Sequence, residues 1–293
     1  MIRAMAKVLV TGGAGVAGRE TARQLLAAGF SVRLADVSAP PKDLPECEFV
    51  RCDTRSPQDA DAAVSGCDAV VHLAAWHCAH NPPVSDPTIF AVNVDGTFHI
   101  FEACKKYGVK TVAYASSIAY GHGGVYSVTK VIGEDLCQAY HNMMRVPFAM
   151  LRYHDFVPKP YLAFGEKLLY NGVDALDVAS SNVASVVAGL AGKYGLLRTI
   201  VHSSHGMPDD VRADFARNGP AWCESKLPGS AALIEKYGFR LPIGVEQHDL
   251  SEAKTALDWE PKVNFLTFLE DLMARESRGE DVKNLWSPGS LSF

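Results

Sequence analysis

The chain has 293 residues, a formal net charge of −5 and a hydrophobic fraction of 48%. This length suits one large domain, or one domain with a small additional lobe, and it supplies enough apolar surface for a sizeable core. The acidic balance, without any basic block, argues against nucleic acid or an anionic membrane as a partner.

The seven cysteines are scattered and form no C-x-x-C pair. This usage fits a reducing cytosol better than a disulfide framework or a zinc site. The sequence also has no apolar run of about eighteen residues and no cleavable signal. We therefore expect a cytoplasmic protein that does not span a membrane.

A glycine-rich turn joins the first predicted strand, residues 7–11, to the first predicted helix, residues 16–28. The order of strand, tight turn and helix directs free backbone N–H groups and the positive end of a helix dipole at a phosphate. The spacing is Gly-x-x-Gly-x-x-Gly, which on its own is a weak signal. It predicts a dinucleotide site that includes Gly12, Gly15, Val16 and Ala17.

Two acidic residues end the next two predicted strands. Asp36 closes the strand over 31–36, where a carboxylate accepts hydrogen bonds from both ribose hydroxyls and repels a 2′-phosphate. This position favours NAD over NADP, although a helix or turn cap is the alternative. Asp53 closes the strand over 47–53 and either accepts from an adenine amino group or caps a helix over 57–64.

The fourth predicted strand, residues 67–75, is apolar throughout, as in strands covered on both faces. The residues at its end suit a surface against a cofactor: Leu73, Ala74 and Ala75. The loop over 76–88 lies at the carboxyl edge of the sheet, where ligands bind, and offers Trp76 and His77 for substrate contact. The histidines at 72, 77 and 80 match no metal-ligand spacing, so we predict no metal.

Tyr126 and Lys130 form the strongest pair in the sequence. Four residues apart on a helix, they share one face, one turn from each other. A neighbouring ammonium favours the ionised form of a tyrosine hydroxyl, so the tyrosine can act as acid or base nearer neutral pH. The pair follows a predicted strand that delivers Ser116 and Ser117 to the same edge. Together these residues predict a proton relay that faces a nicotinamide.

These motifs resemble the extended short-chain dehydrogenase/reductases, also called the NAD-dependent epimerase/dehydratase family. The matching segments cover nearly the whole chain: 11–18, 72–75, 93–97, 116–121, 126–130, 177–179 and 248–261. The resemblance implies that Ser116 is the catalytic serine, with Ser117 as the alternative. It further implies Tyr126 as acid/base and Lys130 as its partner and ribose ligand, and we place Asn93 in the cofactor site.

Three departures from the family pattern bear on which substrate the protein binds. Only ten positions separate Ser116 from Tyr126, so one wall of the usual pocket is trimmed. Asp155 stands where relatives that use nucleotide sugars have an asparagine; its carboxylate would repel a diphosphate and accept from sugar hydroxyls. With His154 it is our candidate for substrate binding, a salt-bridged loop acid being the alternative. The segment 158–177 is too short for the usual nucleotide-binding insertion and lacks the basic residue of that insertion. In this compactness the chain is similar to the uronate and aldose dehydrogenases of the family.

We predict an α/β fold, a Rossmann-type doubly wound parallel sheet with a small C-terminal substrate-binding lobe. The dinucleotide-binding domain is expected over 1–152, with segments around 174–204 returning to it, and the lobe mainly over 153–293. Residues 206–229 have a loop-like pattern, in which Trp222 is expected to anchor a local core.

The predicted function is NAD-dependent hydride transfer from a secondary alcohol of a sugar, uronate or polyol-like substrate. One alternative is a nucleotide-sugar epimerase with tightly held NAD. Dehydration is disfavoured because Ser117 and Ile118 stand where dehydratases carry an extra acid and base. A non-catalytic dinucleotide sensor is a third alternative, against which the intact Ser, Tyr and Lys set argues. The resemblance also implies a homodimer, formed through the helices over 94–107 and 126–141.

Overall fold

The computed structural model describes residues 6–40, 44, 47–77 and 82–287. His80, weighed above as a metal ligand, lies outside the described residues.

One seven-stranded sheet carries the nucleotide-binding motifs, with its strands in the order β3-β2-β1-β4-β5-β6-β8. Every pairing from β3 through β6 is parallel. The order reverses between β1 and β4, the kind of switch point where ligands bind in open α/β sheets. The strands are β1 (Lys7–Thr11), β2 (Ser31–Asp36), β3 (Glu48–Arg51), β4 (Ala69–His72), β5 (Thr111–Ser117), β6 (Phe148–Tyr153) and β8 (Leu196–Val201).

Helices connect these strands and form most of the remaining structure. They are α1 (Val16–Ala27), α2 (Pro57–Val64), α3 (Asp86–Phe90), α4 (Gly96–Tyr107), α5 (Gly124–Met144), α6 (Tyr161–Leu168), α7 (Ala175–Leu190), α8 (Asp209–Ala213), α9 (Phe215–Lys226), α10 (Ser230–Tyr237), α11 (Ser251–Leu257) and α12 (Phe265–Ser277). A π-helical turn (Ala91–Asp95) separates α3 from α4, and a 3₁₀ turn (Val282–Asn284) follows α12. A two-stranded antiparallel ribbon pairs β7 (Lys159–Pro160) with β9 (Trp286–Ser287).

The chain divides into two compact units. The first contains the described residues up to Tyr153, together with Val178–Ile200 and Ser251–Trp259. Its central strands are fully buried on both faces; Val8, Leu9 and Val10 have no solvent exposure. The second unit contains His154–Asp177, Val201–Leu250 and the described residues from Glu260 onward, around a core of aromatic and aliphatic side chains.

The predicted fold class is confirmed, with two differences in local structure. β4 ends at His72, so Leu73, Ala74 and Ala75 lie in the loop that follows it. The prediction of a loop over 206–229 is wrong, because α8 and α9 lie there. The Gly219-Pro220 pair has the pattern of a turn, yet both residues are inside α9.

Packing explains why a glycine stands at position 219 of this helix. A Cβ at Gly219 would lie 2.7 Å from the ring of Phe215, so only glycine lets that buried ring pack against the helix. Trp222, on the same helix, packs against the core of the second unit, as predicted.

Candidate active site

The glycine turn passes close to the end of β4. Gly12 has a φ of +67°, and a Cβ there would lie 2.9 Å from the backbone nitrogen of Ala74. A Cβ at Gly18 would lie 2.2 Å from the carbonyl oxygen of Gly12. Both positions therefore require glycine. The helix α1 begins at Val16, after the N-cap Gly15, and no side chain caps it. Such an uncapped first turn is suited to hold a pyrophosphate.

The residues after β4 are fixed against the same turn by Thr11. The backbone N–H groups of Leu73 and Ala74 both donate to Thr11 Oγ1, at 3.2 Å. The structure thereby brings the glycine turn and two residues of the predicted cofactor surface together.

Asp36 lies beside the glycine turn at the end of β2. One carboxylate oxygen accepts from the N–H of Ala14 and the other from the N–H of Ser38, each at 3.0 Å. The side chain therefore caps the loop backbone, which was the alternative interpretation of Asp36. Each oxygen retains acceptor capacity, so this position still fits recognition of a ribose.

Asp53 forms an ion pair with its near neighbour Arg55, at 2.6 Å. The N-cap of α2 is Ser56, whose hydroxyl accepts from the N–H of Asp59. The alternative of Asp53 as that N-cap is therefore wrong. Its contact with an adenine amino group stays a prediction.

His72 is a buried structural residue. Thr97 Oγ1 donates to the Asn93 carbonyl at 2.6 Å, so it accepts from His72 Nε2 at 3.0 Å. The remaining nitrogen, Nδ1, then accepts from the Thr11 hydroxyl at 2.7 Å. Burial lowers the pKa of His72 to about 3, and the nearby Lys130 ammonium adds to this effect. The ring is thus neutral, with both nitrogens hydrogen-bonded.

Acidification is expected to destabilise the fold through His72. Between about pH 6.5 and its folded pKa of about 3, the unfolded chain protonates this ring and the folded chain does not. Stability therefore decreases as pH falls, by about 2 kcal/mol from this group at about pH 5. Urea unfolding of the parent and of His72→Gln, each measured near neutral pH and near pH 5, isolates this contribution. An equal pH dependence in both proteins would contradict it, and His122→Gln, which alters an exposed histidine, is the matched control.

Asn93 connects the loop after β4 to α5. Its Oδ1 accepts from the Trp76 N–H at 2.8 Å, and its Nδ2 donates to the Trp76 carbonyl at 2.9 Å and to Thr129 Oγ1 at 3.0 Å. The side chain is buried inside the π-helical turn, a distortion often found at functional sites. Asn93 therefore positions Trp76 and α5, and its predicted contact with cofactor stays a prediction.

Tyr126 and Lys130 lie together on α5, as their spacing predicts. Lys130 Nζ is 5.6 Å from the centre of the Tyr126 ring and donates to the Ala115 carbonyl at 2.7 Å. Burial lowers the pKa of Lys130 to about 8, against the raising effects of Cys137 and Glu134. The ammonium is therefore largely retained at neutral pH. The His77 ring approaches Tyr126 edge-on, with 6.5 Å between ring centres.

The Ser116 hydroxyl is hydrogen-bonded within a buried ionic network. Its hydroxyl donates to Glu134 Oε1 at 2.5 Å, and Glu134 is fully buried. Arg152 contributes two hydrogen bonds of 2.8 Å to the same carboxylate, and Arg198 contributes one of 2.7 Å. Burial raises the pKa of Glu134, but the hydrogen bonds from Arg152, Ser116 and Arg198 outweigh it and hold that pKa below its usual range.

Ser117 has a different environment, because successive side chains of a strand point to opposite faces. Its Oγ accepts from the Ala119 N–H at 3.1 Å. Its hydroxyl hydrogen has no acceptor among the residues that the structure describes. Ser117, rather than Ser116, therefore has a hydrogen to donate to a substrate oxygen.

The second unit places Asp155 between two lysines. Its carboxylate is 3.3 Å from Lys159 Nζ and 3.5 Å from Lys167 Nζ. Asp155 is therefore salt-bridged, which was the alternative interpretation of this residue. The two lysines offset the repulsion that its carboxylate would exert on a diphosphate. The three side chains line a cleft of about 800 Å³ within this unit. His154 is 4% exposed and packs against two other histidines.

Sequence reasoning missed Glu134. The spacing Lys130-x-x-x-Glu134 puts this carboxylate on the helix face of the catalytic pair, one turn further on. An acid on the buried face of a helix, with an arginine in the following strand, indicates an internal ion pair.

Comparison with known proteins identifies the family. Residues 8–160 match the family described as NAD dependent epimerase/dehydratase. The chain belongs to this family. Its glycine turn, Tyr126 and Lys130 all lie within the matched segment, and family membership confirms NAD as the predicted cofactor.

The chain is similar to several named proteins over part of its length. It is 28% identical to uronate dehydrogenase of Pseudomonas putida over 171 residues, which cover 53% of this chain and 62% of that protein. It is 37% identical to short-chain dehydrogenase/reductase family 42E member 1 of Danio rerio over 117 residues, 40% of this chain and 30% of that protein. The matched segments thus span less than two thirds of these relatives.

The fold is shared more widely. The crystal structure of UDP-galactose 4-epimerase superposes with a TM-score of 0.66 at 20% identity, covering 93% of this chain and 99% of the other. Among the described residues, no helix has the length and apolar character needed to cross a membrane.

Proposed function

We propose that the protein is an NAD-dependent oxidoreductase that oxidises a secondary alcohol of a sugar, uronate or polyol-like substrate. The observation that carries the proposal is the Tyr126–Lys130 pair, a partly buried tyrosine beside a buried ammonium at the carboxyl end of β5, in a member of an NAD-dependent family. NAD supplies the hydride acceptor when it is bound.

Tyr126 is the base in this proposal, because its hydroxyl is the group that the neighbouring ammonium activates. The tyrosinate takes the proton of the substrate hydroxyl while the substrate loses hydride. Lys130 favours the ionised tyrosine electrostatically, and the Ala115 carbonyl fixes its ammonium beside the ring. Burial lowers the pKa of Lys130 to about 8. The ammonium therefore stabilises the tyrosinate below about pH 8, and this stabilisation weakens at higher pH.

Ser117 is our choice for the serine that orients the substrate oxygen. The donor hydrogen of Ser116 is used by Glu134, whereas that of Ser117 has no acceptor among the described residues. Ser117→Ala should therefore lower turnover more than Ser116→Ala. The cofactor contacts proposed for the glycine turn, Asp36 and the loop after β4 complete the site.

The substrate class rests on two features. One relative is a uronate dehydrogenase, and the cleft of the second unit offers both carboxylates and ammonium groups to hydroxyl-rich ligands. The test is a panel of sugars, uronates and polyols with NAD, followed by absorbance of the reduced cofactor. Tyr126-dependent reduction with at least one panel member supports the proposal. If no member gives it, the protein is not a dehydrogenase of this class.

Epimerisation of a nucleotide sugar is the second candidate. Lys159 and Lys167 lie beside Asp155 and offset the repulsion between its carboxylate and a diphosphate. With this repulsion offset, a nucleotide-sugar substrate is better supported by the structure than by the sequence alone. A purified protein that retains NAD and converts a nucleotide sugar to its epimer, without net reduction of added NAD, would establish it. We place either enzyme in the cytosol, where the six described cysteines would remain the free thiols they are in this structure.

We also propose a homodimer that forms through α4 and α5. These neighbouring helices expose apolar side chains, with Phe98 at 45%, Val128 at 48% and Met143 at 55%. Exposed apolar side chains on adjacent helices are typical of a protein–protein contact.

Phe98→Glu is expected to shift the protein from dimer to monomer. Burying a charge there costs at least about 2 kcal/mol, which raises the dissociation constant at least about 30-fold. Light scattering at micromolar concentration measures the change. Val187→Glu alters an equally exposed apolar side chain on α7 and should leave the dimer intact. A monomeric parent protein would contradict the dimer.

A further inference from the structure

Two buried histidines and a third, partly buried one meet within the second unit. His154 follows β6, His202 follows β8, and His248 lies in the loop before α11. The centres of their rings are 4.2 Å, 4.5 Å and 4.8 Å apart. Each ring offers a nitrogen, and these three nitrogens all lie within 4.8 Å of one another.

The ring nitrogens of this cluster have no partner that accounts for their burial. Among the described residues, both nitrogens of His154, both of His202, and Nε2 of His248 are buried without a hydrogen bond. His154 is 4% exposed and His202 is 1% exposed. A buried polar group without a partner costs about 1 to 3 kcal/mol, so several such nitrogens converging on one point indicate a ligand.

The charge state of the rings suits metal binding. Burial, with smaller effects from the other histidines, lowers the pKa of His154 to about 3 and that of His202 to about 4. The backbone near each ring, at Asn171 for His154 and at Ser203 for His202, acts in the opposite direction but does not reach hydrogen-bonding geometry with either ring. Both rings are therefore neutral at physiological pH, the form in which imidazole ligates a metal.

We propose that His154, His202 and His248 bind a divalent transition-metal ion, with Zn²⁺ as the best match. Three imidazole ligands with a fourth position for water or carboxylate are an established zinc coordination. Tetrahedral ligands at about 2.0 Å from zinc are about 3.3 Å from each other, so the nitrogens need to approach by at most about 1.5 Å. Side-chain rotation supplies movement of this size.

Glu246 is placed to support such an ion. Its Oε1 is 3.6 Å from His248 Nε2, and its side chain also lines the cleft of the second unit. A carboxylate at the ligand nitrogen itself can supply the fourth ligand of the ion in place of water. An ion held there would tie together three separate chain segments and stabilise the second unit.

Cobalt substitution tests the proposal on tag-free, full-length protein that has been stripped with a chelator. Co²⁺ is titrated while the visible ligand-field absorption is followed, and bound Zn²⁺ is measured by elemental analysis after dialysis. No NAD or substrate is present, so the result is independent of the proposed function. The variants are His248→Gln, which alters the least buried ligand, and Glu246→Gln; the control is the exposed His122→Gln.

We expect one metal ion per chain, a tetrahedral cobalt spectrum, and a higher melting temperature with zinc. His248→Gln should weaken binding at least about 100-fold, Glu246→Gln should weaken it about 10-fold, and His122→Gln should bind as the parent does. Circular dichroism verifies that each variant is folded. The proposal is overturned if the stripped parent binds neither ion, or if folded His248→Gln binds as tightly as the parent.

Discussion

Tyr126→Phe lowers kcat/KM by about 10³-fold, because positioned acid or base groups contribute about 10² to 10⁴ to a rate. The loss corresponds to about 4 kcal/mol of transition-state stabilisation. The substitution removes only the hydroxyl, so the ring contacts with Lys130 and His77 remain. NAD affinity, measured by calorimetry, should therefore change little. The rate is followed through absorbance of the reduced cofactor, with whichever substrate the panel identifies.

The matched control removes a hydroxyl that has no place in the proposed chemistry. Tyr107 ends α4 and is 38% exposed, so Tyr107→Phe should retain the parent rate. A Tyr126→Phe enzyme that keeps more than about a tenth of the parent kcat/KM would show that another group transfers the proton. Equal losses in both variants would indicate a general defect of folding instead.

Local sequence patterns were enough to predict the backbone geometry of the segments that we propose for the dinucleotide site. The glycine turn, Asp36 and the Tyr126–Lys130 pair each depend on a short segment whose geometry is dictated by a strand end or a helix turn. Parallel strands bring such ends to one edge, so the pattern also predicted which segments share the site. The observed contacts between Gly12 and Ala74, and between Ala14 and Asp36, follow from that rule.

The choice between Ser116 and Ser117 could not be made from the sequence. One residue of register decides which side chain faces which side of β5, and the sequence does not fix the register. The decisive contact is with Glu134, which approaches from α5 and pairs with Arg152 and Arg198.

Long-range side-chain contacts account for the other differences. The two lysines that neutralise Asp155 follow it by four and twelve positions, and only the fold of the second unit turns both toward it. The three clustered histidines come from segments about fifty residues apart, a spacing that no metal-binding pattern covers. His72, which the sequence analysis weighed and rejected as a metal ligand, is held by two threonines.

Glu134→Gln is expected to lower the free energy of unfolding by about 3 kcal/mol. Breaking a buried ion pair on one side costs about 3 to 5 kcal/mol, because the remaining charges lose their compensation. Arg152 and Arg198 keep 24% and 45% of their side-chain exposure, so water can partly replace the carboxylate, and the lower end applies. Urea unfolding, followed by circular dichroism, measures the change.

The control for this prediction is an exposed pair of the same chemistry. Asp61 and Lys106 are 37% and 56% exposed, so Asp61→Asn should cost at most about 1 kcal/mol. A Glu134→Gln protein as stable as Asp61→Asn would mean that the arginines need no buried partner. The expected difference would instead show that the buried Glu134 stabilises the fold by joining α5 to β6 and β8 through Ser116, Arg152 and Arg198.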